Sequence, residues 1–274
     1  MNLRASENIR LFGMKVFFNE ITNLYKLKKM PTKILLSGKK GLGKSTLAYH
    51  IVNYILSENE QYRYYFTKYI INKENKSFKL VQNNTHPNFY LIDLLNDKKN
   101  IDISQIRNAI SYTNKSSFNV MPRLILIDNI ETLNRNSVNA LLKIIEEPNQ
   151  NVYFILINNN EKLILPTLKS RCLTFKINFT FEQSMFVSSQ ILNSNLLDFI
   201  NIELINYYTT PGEIINLINF SKEKNINLKN YTLINLLNHL IDNSYYKKDE
   251  FVKKLLFNCI ELYFLKEYKT RKTK

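Results

Sequence analysis

The stretch Gly38 to Ser45 reads GKKGLGKS, and no other part of the chain restricts the possible folds as strongly. Its spacing matches a phosphate-binding loop, and its flanks supply the structural context such a loop needs. Lys33-Ile34-Leu35-Leu36 is a short apolar run suited to a buried strand, and Thr46 to Leu56 carries helical periodicity directly behind the loop. Strand, glycine turn and helix therefore follow in the required order. Gly38, Gly41 and Gly43 allow backbone conformations that turn successive N–H groups toward phosphate oxygens, and the start of the next helix adds its positive dipole end. In this pattern Lys44 reaches the β- and γ-phosphates, the Ser45 hydroxyl ligates Mg²⁺, and Thr46 opens the helix beside them. The expected cofactor is ATP or ADP with Mg²⁺.

A second element completes the site. Leu124-Ile125-Leu126-Ile127-Asp128 reads as a buried strand that delivers a carboxylate to its C-terminal end, where the metal sits beside the phosphate loop. The residue that follows changes the functional expectation. An ATPase of this type places Glu there to take a proton from the attacking water, and this chain has Asn129. Asn can position a water but cannot accept its proton, so binding is expected to outlast hydrolysis. Glu131 lies two positions further on and is expected to be a solvated or helix-start carboxylate carried off the γ-phosphate by the turn. Asn158, at the end of the Val152 to Ile157 run, is either a polar sensor of the γ-phosphate or a strand-terminating Asn. His86 in HPN is read as a turn residue before Pro87, with no catalytic role.

Three more strand candidates, Phe89 to Asp93, Val152 to Ile157 and Leu173 to Ile177, join the two already named. Helical patterns separate them, with Ile103, Ile106 and Ile110 on one face and Val138, Leu141, Leu142 and Ile145 on another. Apolar strands alternating with helices predict a parallel five-stranded sheet covered on both faces, an α/β nucleotide-binding domain over 1–178. Beyond it, Ile191 to Ile205, Glu213 to Phe220 and Tyr231 to Tyr268 are Leu/Ile-rich with helical spacing. They predict a small helical domain over 179–222 and a short helical segment over 223–274, the boundary falling in the polar stretch near Ser221 to Asn227.

Composition narrows the class. Two cysteines in 274 residues exclude a disulfide framework and a four-thiolate zinc site. Together with the lack of a targeting pattern or of about 20 consecutive apolar residues, they predict a cytoplasmic protein with no membrane partner. The net charge of +15 comes from 30 Lys and eight Arg spread along the chain, with a local concentration only in Lys266 to Lys274. It fits either weak, salt-sensitive attraction to DNA phosphates or the residue choice of an AT-rich genome.

The chain resembles a known family. Ile125 to Pro148, ILIDNIETLNRNSVNALLKIIEEP, resembles the region of bacterial clamp-loader AAA+ subunits where this strand runs into an NALLK…LEEP helix. Leu165 to Cys172, LPTLKSRC, resembles the family's SRC motif. Lys29 to Ala48, His86 to Asp93 and Ile101 to Ile110 match, in order and spacing, the delta-prime type of DNA polymerase III subunit, and Pro211-Gly212 resembles its lid. The resemblance implies an AAA+ fold and a subunit of a heteropentamer, with tau/gamma and delta as neighbours, that opens a sliding clamp and places it on primed DNA. It also implies a stator role in which Arg171 is lent as an arginine finger to a neighbour's ATP site, the chain itself being at most a weak ATPase.

The departures from the family bear on this reading. Asn129 and the lack of four zinc-binding cysteines separate the chain from tau/gamma, the alternative reading as a motor. Thr209 to Glu213 has no sensing arginine, and the only Arg after Arg171 is Arg271. The roughly fifty residues after Ser221 are short for the family's collar. A stand-alone P-loop enzyme is the remaining alternative, and it lacks a recognisable acceptor site.

Overall fold

The computed structural model describes residues 4–95, 98–115, 120–247 and 249–272, with side chains through Tyr268. Of the basic stretch Lys266 to Lys274, the side chains of 269–274, that of Arg271 included, lie outside the described ones. The chain divides into two compact units, Met1–Asn178 and Phe179–Lys274. The first carries α1 (Lys15–Lys26), β1 (Lys33–Ser37), α2 (Lys44–Leu56), α3 (Lys76–Gln82), β2 (Phe89–Ile92) and α4 (Ile103–Asn114). It continues through β3 (Arg123–Ile127), α5 (Arg135–Glu146), β4 (Val152–Asn158), α6 (Pro166–Lys169) and β5 (Leu173–Lys176).

All five strands pair in parallel in the order β2-β3-β4-β1-β5. The strands are apolar on both faces because helices cover both: Ile34, Leu35, Leu36 and the whole of β3 are buried. Each such aliphatic contributes about 1.5–3 kcal/mol relative to an exposed side chain. The register sets Ser37 against Asn158, Ile92 against Ile127 and Ile127 against Leu156, so β1 to β4 all end on one edge of the sheet, within two residues of one another. In an open parallel sheet that C-terminal edge is where ligands bind.

Helix α1 begins at Lys15, in a stretch that the sequence did not mark as helical. Phe18 packs against the rings of Tyr54, Tyr64, Phe66 and Tyr69 at centroid separations of 5.0–5.9 Å. His50 of α2 is buried beside them, paired with the Tyr64 hydroxyl at 2.8 Å and the Asn8 carbonyl at 3.0 Å. The carbonyl can only accept, so Nε2 carries the proton and Nδ1 accepts from Tyr64.

The second unit holds α7 (Phe181–Leu192), α8 (Pro211–Glu223), α9 (Leu233–Asp242) and α10 (Glu250–Lys272). Thr180 and Thr210 start α7 and α8 with capping boxes, and Thr232 caps α9, each cap contributing about 1 kcal/mol. One apolar cluster runs from Leu196 to Leu262, across the expected 222/223 boundary. The helical pattern over Ile191 to Ile205 gives a different structure: α7 stops at Asn193, which is left-handed, and two single 3₁₀ turns follow, capped by Asn195 and Asn201. Left-handed Asn is a general device here. Six of the nine described non-glycine residues with positive φ are Asn, in a chain with five glycines.

Candidate functional site

The loop after β1 is built around its glycines. Gly41 and Gly43 have φ of 85° and 93°, left-handed values that a side chain resists. Gly38 is constrained by space instead: a Cβ there would lie 2.2 Å from the Ile177 carbonyl oxygen. Its N–H donates to the Asn158 carbonyl at 3.2 Å, which ties the loop to the end of β4. Helix α2 starts on Gly43 with no side-chain cap, and Thr46 sits half-buried in its first turn. The loop therefore meets uncapped N–H groups at the positive end of a helix.

Lys44 is 2% exposed, and its Nζ donates to the Gly38 and Lys39 carbonyls at 2.8 and 2.7 Å. Burial lowers its pKa to about 8, and the charges of Asp128 and Glu131 offset part of that fall. Ser45 Oγ donates to Asp128 Oδ2 at 2.5 Å, so the two expected metal ligands already face each other across α2 and β3. Burial raises the Asp128 carboxyl above its usual range; the Ser45 hydrogen bond opposes the rise and the charge of Asp93 adds to it.

Asn129 is left-handed, with φ 55°, and its amide is engaged at both ends. Its Nδ2 donates to Asp93 Oδ1 at 2.7 Å and its Oδ1 accepts from Asn159 Nδ2 at 2.8 Å. The side chain thus links residues at the ends of β2, β3 and β4. Glu131 departs from the expectation of a solvated carboxylate. It is 6% exposed, and both its oxygens accept from the Asn159 N–H at 3.2 Å. The 3₁₀ turn Ile130–Thr132 folds it under the end of β4, where a buried acceptor meets the backbone donor left over as the strand ends.

Asn158 is buried at the end of β4. Its Nδ2 donates to Asn160 Oδ1 at 2.7 Å and to Ser37 Oγ at 3.3 Å, and its Oδ1 accepts from the Asn160 N–H at 3.1 Å. These bonds close the strand in a local turn beside Gly38. His86 stands before β2, at the opposite end of that strand from Asp93. Its Nδ1 accepts from the Asn88 N–H, so Nε2 donates to Ser77 Oγ, which in turn donates to Glu60. That chain orders a loop and leaves no basic nitrogen available.

Arg171, two residues beyond α6, has a different set of neighbours. Its Nη2 pairs with Glu146 Oε1 at 2.8 Å and its Nη1 donates to the Thr167 carbonyl at 2.9 Å. Cys172 beside it bonds the Leu168 carbonyl through Sγ, and burial pushes its thiol up to about 11, which makes it a packing residue. Among the described residues no group of three or more His, Cys, Asp or Glu could hold a metal ion.

Sequence reasoning did not find Asp93 and Asn159. Asp93 closes the strand run Phe89 to Asp93, one strand over from Asp128, and the parallel pairing of those runs was the available signal. Asn159 stands between two further Asn residues, Asn158 and Asn160, with nothing in its spacing to single it out.

The strand order, the glycine loop between β1 and α2 and the carboxylate at the end of β3 define a P-loop module of the AAA+ class. A family model described as DNA polymerase III, delta subunit, matches residues 13–180, which include every loop and sheet residue of this site and Arg171. The chain belongs to that family, and so to the clamp-loader proteins. It is 33% identical over 232 residues to DNA polymerase III subunit gamma of Buchnera aphidicola subsp. Schizaphis graminum, covering 81% of this chain and 61% of that one. It is 28% identical over 185 residues to the subunit delta' of Buchnera aphidicola subsp. Baizongia pistaciae, covering 65% and 54%. The subunit delta' of the Schizaphis graminum strain is 26% identical over 260 residues, covering 90% and 76%. The chain thus spans 61% and 54% of the first two relatives' lengths. Among the described residues no helix is long and apolar enough to cross a membrane.

Proposed function

We propose that this chain is a delta-prime-type subunit of the DNA polymerase III clamp loader. It binds ATP or ADP with Mg²⁺, turns the nucleotide over slowly, and lends Arg171 to a neighbouring subunit's site. One observation carries the reading: an intact Lys44 and Ser45–Asp128 constellation stands beside an Asn129 whose amide is already committed to Asp93 and Asn159. Gly38, Gly41 and Gly43 shape the loop for phosphate, Lys44 exchanges loop carbonyls for phosphate oxygens, and Thr46, in the first turn of the helix, adds its backbone N–H behind them. Ser45 and Asp128 supply the hard oxygen ligands that suit Mg²⁺, which when bound neutralises phosphate charge. In this reading Asn158, next to Gly38, senses the phosphate end by exchanging its bonds to Asn160 and Ser37 for phosphate oxygens.

Neither Asn129 nor Asn159 can accept a proton from water, and Glu131 is turned onto a backbone N–H. This supports binding over turnover. Arg171 is bonded to α5 and α6 and not to its own loop, which supports a role outside its own site. In this reading 179–222 is the helical lid and 223–274 contributes to the collar, in a cytoplasmic complex with tau/gamma, delta, the sliding clamp and primed DNA. The gamma relative, 33% identical over 232 residues, favours a second reading as a motor subunit.

Four measurements test these readings. Calorimetric titration with Mg-ATP and Mg-ADP should give binding that Lys44→Ala removes, and steady-state phosphate release by the isolated chain should be very slow. Brisk turnover abolished by Lys44→Ala would favour the motor. In a loader reconstituted from the partner subunits, Arg171→Ala should lower stimulated hydrolysis about several-fold, because other intact sites dilute a finger's full effect of roughly 10³. An unchanged rate would remove the finger, and activity as a lone chain on a small acceptor would point to a stand-alone enzyme.

A further inference from the structure

The contacts of Arg171 identify a second residue. We propose that Glu146 is a positioning residue for Arg171, fixing the plane of its guanidinium before a neighbour's phosphate reaches it; this rests on the reading of Arg171 as a trans-acting group. The two anchors come from different elements. Glu146 ends α5, while the Thr167 carbonyl belongs to α6, a one-turn helix held by the buried Leu168. One contact goes to Nη2 and the other to Nη1, at 2.8 and 2.9 Å.

A guanidinium bonded through both terminal nitrogens cannot swing about its stem, and its five N–H donors leave capacity for a second anion. A long, otherwise mobile side chain is thereby ordered in advance, which removes an entropic cost from the step it serves. The pair is partly solvated, with side-chain exposures of 37% for Arg171 and 49% for Glu146. An ion pair that exposed contributes little to stability, so its conservation of geometry can be tested without unfolding the chain.

The experiment uses the reconstituted loader with clamp and primed DNA, comparing wild type, Glu146→Ala, Glu146→Gln, Arg171→Ala and the double substitution Glu146→Ala with Arg171→Ala. Glu146→Ala is expected to lower kcat for ATP about two- to threefold, less than Arg171→Ala does, with KM unchanged and the melting temperature of the isolated chain unchanged. Glu146→Gln, whose amide oxygen still accepts the bond, should recover part of that loss. In the Arg171→Ala background, Glu146→Ala should cost nothing further. A fall with Arg171→Ala but none, or a rise, with Glu146→Ala would overturn the positioning role and leave the finger standing. An undiminished Glu146→Ala loss in the Arg171→Ala background would overturn it too. No effect of Arg171→Ala alone removes the finger, and this inference with it.

Discussion

The Asn129 side chain donates to Asp93 across 2.7 Å, joining the end of β3 to the end of β2 at the position where a hydrolytic carboxylate would stand. With Asn159 on its other side, the amide is a structural tie. Asn129→Ala should leave Asp93 and Asn159 short of partners and replace Asn, which tolerates a left-handed backbone, with a residue that does so less well. A loss of about 1–3 kcal/mol is expected from the denaturant midpoint. A midpoint equal to that of wild type would show that the tie carries no load.

On the proposed reading, Lys44 should make nucleotide affinity depend on pH. Its pKa of about 8 lies below the ordinary 10.5, so between those values the unfolded chain holds more protons than the folded one. Stability from this group therefore rises as pH climbs from about 8 to about 10.5, while affinity for a polyanion falls. Calorimetry at pH 7.5 and 9 should show affinity for Mg-ATP dropping roughly tenfold, with proton uptake on binding. Lys44→Ala should bind weakly at both values and lack the slope.

His50 works at the acid end. Burial pushes it down to about 4 from 6.5, although the Asn8 carbonyl bonded to Nε2 offsets part of that shift. The stability it lends is complete above pH 6.5 and fades as pH falls toward 4, by about 3 kcal/mol in all. Urea midpoints at pH 7 and 4.5 measure the loss, and His50→Gln should show a much smaller difference between them. Equal differences in the two proteins would contradict the assignment.

The loop glycines should differ in tolerance. Gly38→Ala forces a methyl against the Ile177 carbonyl, a backbone atom that cannot rotate away, at a cost of about 3 kcal/mol. Gly43→Ala meets nothing closer than Met14 Cε at 3.9 Å, so only its φ of 93° resists, at roughly 1–2 kcal/mol. Thermal melts of the two variants in the absence of nucleotide should rank them in that order, and the reverse ranking would sink the argument.

Much of the sheet was legible because the buried parallel strands are runs of aliphatics, and the loop because its glycines and Lys44 stand at fixed spacing. What the sequence hid was lateral. Asp93, Asn129 and Asn159 are far apart in the chain and meet only because the register brings their strand ends to one edge. Glu131 looked solvated because a carboxylate after a strand usually is, and only the fold reveals the N–H that buries it. Beyond Leu192 the apolar spacing continues, yet Asn193 and Ser244, both left-handed, break it into pieces that periodicity cannot see.

The strand order also dictates when the site can exist. Strand β1 pairs only with β4 and β5, so Ser37 waits for a partner, Asn158, that lies 121 residues later. A ribosome that has made the phosphate loop has made nothing to hold it. During synthesis the loop must remain unanchored until β4 inserts between β3 and β1, and only then do Lys44 and Ser45 face Asp128. A chain truncated before residue 152 would carry the whole glycine motif and none of its geometry, because contacts of such long sequence separation form late.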